Sequence, residues 1–374
     1  VTDEARASLT PCLITDYAQL REVWSKPGAL HGNAQTFDWI DCWRKNVNPD
    51  SLVAGLIAGD TPVMLLPLEA VNVNGTRVLR YPGGSHANCN FPWLDGSVDD
   101  ASVCLLVSAI RAARPDIDVL SLTRQLPSLS GQDNPLLQLK SVENPNPVLA
   151  ASLVSGFDAV LERSNAKRKL KKHRQHGRRY EEAGGWRIYS PQFREESDQL
   201  LDTFFALKAH RFRQMGISDP FDDAHIQAFF KELYGEAARK PKPRYELQIL
   251  EVAGKVRSLI GKTFSKDSPT VEFSAIADDE LMTASPGEFL FYEDIKKSCE
   301  AGLSLYSFGI GDEPYKREWC DIESNVYDTI LPLTLKGNAF TALQSVRSKV
   351  VATVKGNPRL WQMAKALRSK LARR

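Results

Sequence analysis

Long apolar runs are missing from this 374-residue chain. The longest clean one, Val103–Val107, is far short of the roughly 18–20 residues that a membrane-spanning helix needs. Closely spaced cysteines are missing too. The six stand apart at positions 12, 42, 89, 104, 299 and 320 with no C-x-x-C pair. That argues against a zinc site or a disulfide frame and for reduced thiols in the cytoplasm. The opening segment VTDEARASLT has neither a basic leader nor an apolar core, so no signal peptide is expected. Acidic residues are absent from 337–374, where nine Lys/Arg leave residues 1–336 at −7 within an overall charge of +2. The tail reads as a basic appendage on a mildly acidic body. What is present, 43% hydrophobic and 25% charged residues, is the composition of a globular protein long enough for two domains.

The order of elements repeats. LVAGLIAGDTPVMLLPLEAV (52–71) and YELQILEVAGKVRSLIGKTF (245–264) each read as two strands joined at an Ala-Gly turn. After the first come a strand near 77–81, a helix over 99–113 and a strand over 117–122. After the second come a strand over 270–277, a helix over 286–301 and a strand over 303–309. Helices over 34–47, 196–216 and 222–240 open the halves, with Leu200, Phe204 and Leu207 spaced for one helical face. A strand–helix–strand unit after a hairpin implies a mixed sheet with a right-handed crossover. The expected fold class is α/β, in two duplicated lobes. They span 1–150, ending in the Pro/Ser/Asn-rich linker 127–150, and 151–335, before a tail over 336–374.

SPGEF (285–289) carries helix-start signals. Ser285 suits the N-cap, Pro286 the first helical position, and Glu288 completes a capping box with Ser285. Gly287 fits that plan poorly, because glycine there destabilises a helix by about 1 kcal/mol relative to alanine. Without a Cβ, an anion can rest on the free N–H groups at the positive end of the helix dipole. FGIGDEPYKREWCD (308–321) follows the next strand, has no apolar period, and gathers carboxylates, a tyrosine, a lysine and a tryptophan. Asp312 and Lys316, four apart, also suit an ordinary helical ion pair.

The run from VEFSAIA through SPGEFLFYEDIKKSCEAGL to LSLYSFGIGDEPYKREWC resembles the C-terminal lobe of GNAT-fold acyltransferases of the CelD-like branch, related in fold to the FemAB aminoacyl transferases. Its most specific part is the strand end F-G-x-G-D followed by Tyr-Lys and an aromatic, Phe308 to Trp319. NAQTFDWIDCWRKNV and RYPGGSHANCNFPWL are similar to first-lobe features of that branch, so the resemblance covers about residues 30–330. The common GNAT pyrophosphate motif, Q/R-x-x-G-x-G/A, is absent from the second lobe, where Ser285-Pro286-Gly287 stands in its place.

The resemblance implies tandem GNAT-like lobes, each a mixed, mostly antiparallel sheet flanked by helices. It implies direct attack of an amine or hydroxyl on a thioester lying along a splayed strand, here TVEFSAIA. The donor would be acyl-CoA or acetyl-CoA, with acyl carrier protein open, and no metal. Ser285, Pro286, Gly287 and Glu288 would hold its phosphates. Asp312 or Glu313 would accept the proton, with Glu272 a second base candidate. Tyr315 would donate to the leaving thiolate, Lys316 would stabilise the oxyanion, and Trp319 would wall the pocket. His86, in a glycine-rich loop, faces the cleft if the lobes pair pseudo-symmetrically; otherwise it is a solvated loop histidine. Arg213 suits either an anionic acceptor or a solvated helix face.

RSNAKRKLKKHRQHGRR (163–179) holds nine Lys/Arg in seventeen residues. It lacks interleaved aromatics or a reading motif, so a nucleic-acid partner is not expected, and a solvated helix, a nucleotide phosphate or an anionic membrane remain. His173 and His176 have metal-like spacing but no carboxylate nearby in sequence. In the tail, Leu360, Met363, Ala364, Leu367 and Leu371 fall on one helical face bordered by Trp361, which suits either a membrane-surface contact through 344–374 or docking on the protein's own body. The expectation is a cytoplasmic acyltransferase, peripheral on the inner face of the membrane through that tail. It would act on a small-molecule, glycan or lipid acceptor: a polysaccharide precursor, an amino sugar or a long-chain lipid amine. The competing expectation is a catalytically silent partner of an exopolysaccharide or cellulose assembly complex.

Overall fold

The computed structural model describes residues 9–265 and 268–356. Two sheets carry most of the strands. Along the first run Thr10–Ile14, Ser51–Ala58, Thr61–Val73, Thr76–Arg80, Val119–Gln125, Tyr327–Pro332 and Ser141–Glu143. Along the second run Trp186–Tyr189, Tyr245–Val252, Lys255–Ser265, Ser268–Ile276, Leu305–Ile310, Val148–Ser152 and Ile322–Ser324. Neighbours along each sheet are antiparallel except for one pair. Thr76–Arg80 lies parallel to Val119–Gln125, and Ser268–Ile276 parallel to Leu305–Ile310. These are the pairs bridged by helices, Asp100–Ala113 and Pro286–Glu300, because parallel strands need a crossover. The two hairpins and the units that follow them stand where the sequence repeat puts them.

The chain changes sheets in a way the repeat does not show. Val148–Ser152 pairs with Leu305–Ile310 in the second sheet, and Tyr327–Pro332 returns to pair with Val119–Gln125 in the first. Each parallel unit is therefore closed by an antiparallel strand from elsewhere in the chain. The 127–150 stretch is more than a linker, since it supplies the small ladder Ser128–Leu129 with Gln132–Asp133 and two sheet strands.

Three buried clusters hold the molecule together. One lies under helix Asp100–Ala113 and one under helix Pro286–Glu300. The third joins the lobes. Thr36 accepts from Trp39 N to cap helix Phe37–Asn46, whose Trp39 and Trp43 pack edge-on against Phe229, both at 4.9 Å. Phe204, Phe230, Tyr245 and Phe273 complete that cluster, each ring contributing on the order of 2 kcal/mol on burial. Asn46 Nδ2 donates across it to Glu232 at 2.7 Å. Inside the second lobe, Lys262 Nζ and the Tyr306 hydroxyl both donate to Asp294 at 2.6 Å, tying two strands to helix Pro286–Glu300.

Among the described residues no helix is long and apolar enough to cross a membrane. The tail begins as helix Leu335–Gly356. The stretch from Leu360 to Leu371, with Trp361, lies outside the described residues.

Candidate active site between the lobes

The parallel pair of the second sheet meets at one register position, Thr270 opposite Ser307. Beyond it the strands serve other neighbours: Leu305–Ile310 turns to Val148–Ser152, and Ser268–Ile276 stays with Lys255–Ser265. A β-bulge accounts for the divergence. Lys262 faces Val271 and Gly261 faces Phe273, so Glu272 is the extra residue. Such a residue bends its strand and re-aims its side chain.

Glu272 is aimed at the first lobe. Asn88, from the glycine-rich loop there, donates its amide to Glu272 Oε2 at 2.6 Å and lies 3.2 and 3.3 Å from the carbonyls of Val271 and Glu272. Gly309, at φ +70°, makes room on the facing strand, because a Cβ there would come within 2.9 Å of the Asn88 amide. Burial pushes the Glu272 carboxyl up to about 7, against the opposing pull of Asn88, Thr263 and Asn33. A carboxyl in that range exchanges a proton readily at neutral pH. Next to Asn88 stands Cys89, which feels the charges of Glu272, Arg124 and Lys316. Burial pushes its thiol up to about 12, so it is a neutral neighbour rather than a nucleophile.

The loop after Leu305–Ile310 forms the other wall. Tyr315 is 44% exposed, and its ring stacks on Phe291 at 5.8 Å. Burial of the phenol raises it to about 12, which keeps it a proton donor. Lys316 is buried, donating from Nζ to the Ile310 carbonyl at 2.7 Å and pairing with Glu313 at 2.9 Å. The helical pair with Asp312 does not form. Asp312 pairs instead with Arg317 at 2.5 Å, and that guanidinium holds its carboxyl below the usual range. An exposed carboxylate so stabilised is a weak proton acceptor, and Glu272 is the better placed of the two.

Phe291 lies one helical turn from Gly287, so its contact with Tyr315 brings the start of helix Pro286–Glu300 beside this loop. The capping box is not built. Ser285 adopts φ 48°, ψ 59° and its side chain makes no cap, while Glu288 turns to Lys172 at 3.5 Å. Gly287 has a packing reason, since a Cβ would meet Ile276 Cδ1 at 2.7 Å. The basic helix Ala166–Glu182 runs alongside and reaches this end through Arg179, which donates to Thr283 at 3.1 Å. His173 of that helix pairs with Glu293 at 2.6 Å, a carboxylate distant in sequence.

Three other expected residues stand away from this cleft. Trp319 is core, buried with the Lys169 ammonium 3.4 Å from its ring centroid. His86 packs among Trp43, Phe221 and Phe230, where burial lowers it to about 4 and keeps it neutral. Arg213 is exposed and bonds back to Ala209 O of its own helix. Asn88, Cys89 and Thr263 had no signal of their own; the loop GGSHANCN drew notice only for its glycines and His86.

Residues 167–317 match a family described as an acetyltransferase (GNAT) domain. That match falls in the second lobe, whose plan of a mixed sheet with one parallel pair bridged by a helix the first lobe repeats. Among solved structures, FemX is similar over 84% of this chain and 96% of its own, at 13% identity and a TM-score of 0.57. The C-terminal domain of a putative lysylphosphatidylglycerol synthetase from Agrobacterium fabrum gives the same identity and coverage, with a TM-score of 0.50. A conserved protein of unknown function from Bacteroides thetaiotaomicron covers 80% of this chain and 91% of its own, at 13% identity and a TM-score of 0.51. A search of the curated proteins finds no match.

Proposed function

We propose that this protein is an N- or O-acyltransferase in which an amine or hydroxyl attacks a thioester lying against the strand Ser268–Ile276. Glu272 at the bulge is the observation that carries the reading: a shielded carboxyl near pKa 7, just past the one register position where its strand meets the parallel neighbour, facing the opposite lobe. It takes the acceptor's proton as the new bond to the acyl carbon forms. Tyr315, still protonated, donates to the sulfur as the C–S bond breaks. The Lys316 ammonium contributes positive charge near the oxyanion. The donor is acyl-CoA, acetyl-CoA or an acyl carrier protein. Its phosphates lie at the start of helix Pro286–Glu300, around Ser285, Pro286, Gly287 and Glu288, with Lys172 and Arg179 nearby.

For the acceptor we favour a cell-envelope polysaccharide precursor, an amino sugar or a long-chain lipid amine, as in the CelD-like branch. A putative lysylphosphatidylglycerol synthetase on the same fold is in keeping with an envelope acceptor. The tail 344–374 would contact an anionic membrane from the cytoplasmic side.

Thiol release from acetyl- and long-chain acyl-CoA, measured with amino-sugar and long-chain amine acceptors, tests the reading. The expected result is acceptor-dependent release that falls about 10²–10⁴-fold in E272Q. Release that E272Q leaves unchanged removes Glu272 as the base. No release with any donor, a loaded carrier protein included, leaves the accessory-protein reading.

A further inference from the structure

Glu272 has a second side. Its bulge leaves it diagonal to Thr263, which faces Thr270 across the antiparallel ladder. Thr263 is fully buried, and beyond it lies Tyr234 of helix Ala224–Ala238, 1% exposed. Glu272 Oε1, Thr263 Oγ1 and the Tyr234 hydroxyl oxygen are all shut from solvent, and none reaches hydrogen-bonding geometry with a protein partner. Yet they act on one another: the Thr263 hydroxyl favours the charged form of both neighbours, and the Glu272 charge disfavours ionisation of Tyr234. Three adjacent buried oxygens without aligned partners are unusual, since buried polar groups are nearly always satisfied.

The row leads somewhere. Tyr234 lines a hollow of about 220 Å³ together with Ser190, Ser197, Glu246 and Lys297. Ser197, fully buried, has an unpartnered hydroxyl too. The rim of the hollow includes Gln192, Lys240 and Pro241, all exposed. Tyr234 thus stands between the carboxyl and a solvent-reached hollow on the side away from the cleft.

We propose that Thr263 and Tyr234 form a proton-release relay for Glu272, separate from the face where donor and acceptor bind. This rests on the reading of Glu272 as the base. While substrates fill the cleft Asn88 holds Oε2, which leaves Oε1 as the oxygen on the side of Thr263 and Asn33. In the release step the Glu272 O–H bond breaks and its proton passes to Thr263 Oγ1. The Thr263 hydroxyl proton moves to the Tyr234 oxygen, and the Tyr234 proton passes to water in the hollow once a small rotation of the ring opens the hydroxyl to it. Net, one proton leaves Glu272, both hydroxyls are restored, and no electrons move. Rotation of the two hydroxyls resets the row. Neither Thr263 nor Tyr234 touches substrate, so both are positioning residues for proton traffic.

The relay separates the first turnover from later ones. In T263V and Y234F assayed at about pH 9, where Glu272 starts ionised in every variant, the first transfer should proceed within about twofold of wild type. Steady-state turnover should fall at least tenfold, giving a burst of one product per site, and T263S should behave as wild type. A loss of first-turnover rate parallel to the steady state, or no burst in either variant, overturns the relay. A readout that needs no substrate keeps it apart from the proposed reaction. With ¹³C-carboxyl glutamate, the Glu272 signal (assigned by its absence in E272Q) should titrate as one averaged line in wild type and T263S. It should broaden or split at its midpoint in T263V and Y234F as proton exchange slows. Unaltered exchange in both variants overturns the relay even if the enzyme is active. Slowed exchange in a protein that consumes no thioester supports the relay and sinks the transferase reading.

Discussion

Glu272 sits where ionisation is opposed, and the groups around it set how strongly. Asn88 faces it from the first lobe, Thr263 and Tyr234 from its own lobe, Asn33 from the first, and the Cys89 thiol and the Lys316 ammonium lie nearby. As the base it works only when ionised, so kcat/KM should rise with pH through about 7. The Asn88 hydrogen bond favours the ionised form, and N88A removes it; the acid limb should therefore move to higher pH, visible in a pH–rate profile. A limb that stays put would mean another group titrates. Stability carries the opposite sign. The folded value near 7 lies above the ordinary 4.5, so folding favours the protonated carboxyl. That contribution is full below about pH 4.5 and is lost as pH rises through 7. E272Q should then be more stable than wild type at pH 8, by on the order of 3 kcal/mol, with the difference vanishing near pH 4. A residue that loses activity yet gains stability on substitution is the expected mark of a strained functional group.

Between the strand Lys255–Ser265 and the helix Pro286–Glu300, Lys262 and Asp294 are 3% and 1% exposed at their side chains and meet at 2.6 Å. The Tyr306 hydroxyl completes the shell of Asp294. Removing Asp294 leaves the buried Lys262 ammonium with only its longer pair to Glu246, at 3.3 Å, so D294A should destabilise by about 3 kcal/mol in denaturant melts. K262M/D294L, which removes both charges, should recover most of that loss. Equal losses in the single and double variants would show packing, not charge, at work. The sequence displayed this lobe's hairpin, crossover helix and parallel strand, because each has a local signature: Gly254 at a turn, Pro286 at a helix start, β-branched runs between. It did not display the bulge. A bulge is a mismatch between two strands, and nothing in VEFSAIA alone says which residue is extra. The same limit hid Ser285, where signals for a capping box were present but the preceding turn Met282–Ala284 delivers the chain in a left-handed conformation. The partner of Asp312 shows a related limit. Spacing offered Lys316 as its partner, whereas the short helix Pro314–Arg317 sends the lysine inward to Ile310 O and leaves Arg317 for the aspartate.

At the scale of the molecule, the site needs both halves of the chain. Asn88 crosses 184 residues of sequence to reach Glu272, and Asn46 crosses 186 to reach Glu232. Two strands are exchanged between the sheets, and the aromatic cluster of Trp39, Trp43, Phe229, Phe230 and Tyr245 belongs to neither lobe alone. Duplication was legible from the repeated element order, but strand exchange was not, because local patterning carries no record of which sheet a strand joins. Cutting the chain at its apparent linker therefore should not yield two independent domains. Residues 151–335 expressed alone lose Val148–Ala150, the first part of the strand beside Leu305–Ile310, expose the face of Phe229, Phe230 and Tyr245, and leave Tyr327–Pro332 without its sheet. Such a fragment should bind a hydrophobic dye and show no cooperative melt, in contrast to the intact chain. Co-expression with residues 1–150 should restore a single transition, because the missing strand and the aromatic partners are then supplied in trans. A fragment that melts cooperatively on its own would place the stabilising contacts within one lobe. It would also reduce the first lobe's part in the site to the contacts of Asn88 and Asn33 with Glu272, the first of which the N88A pH profile measures separately.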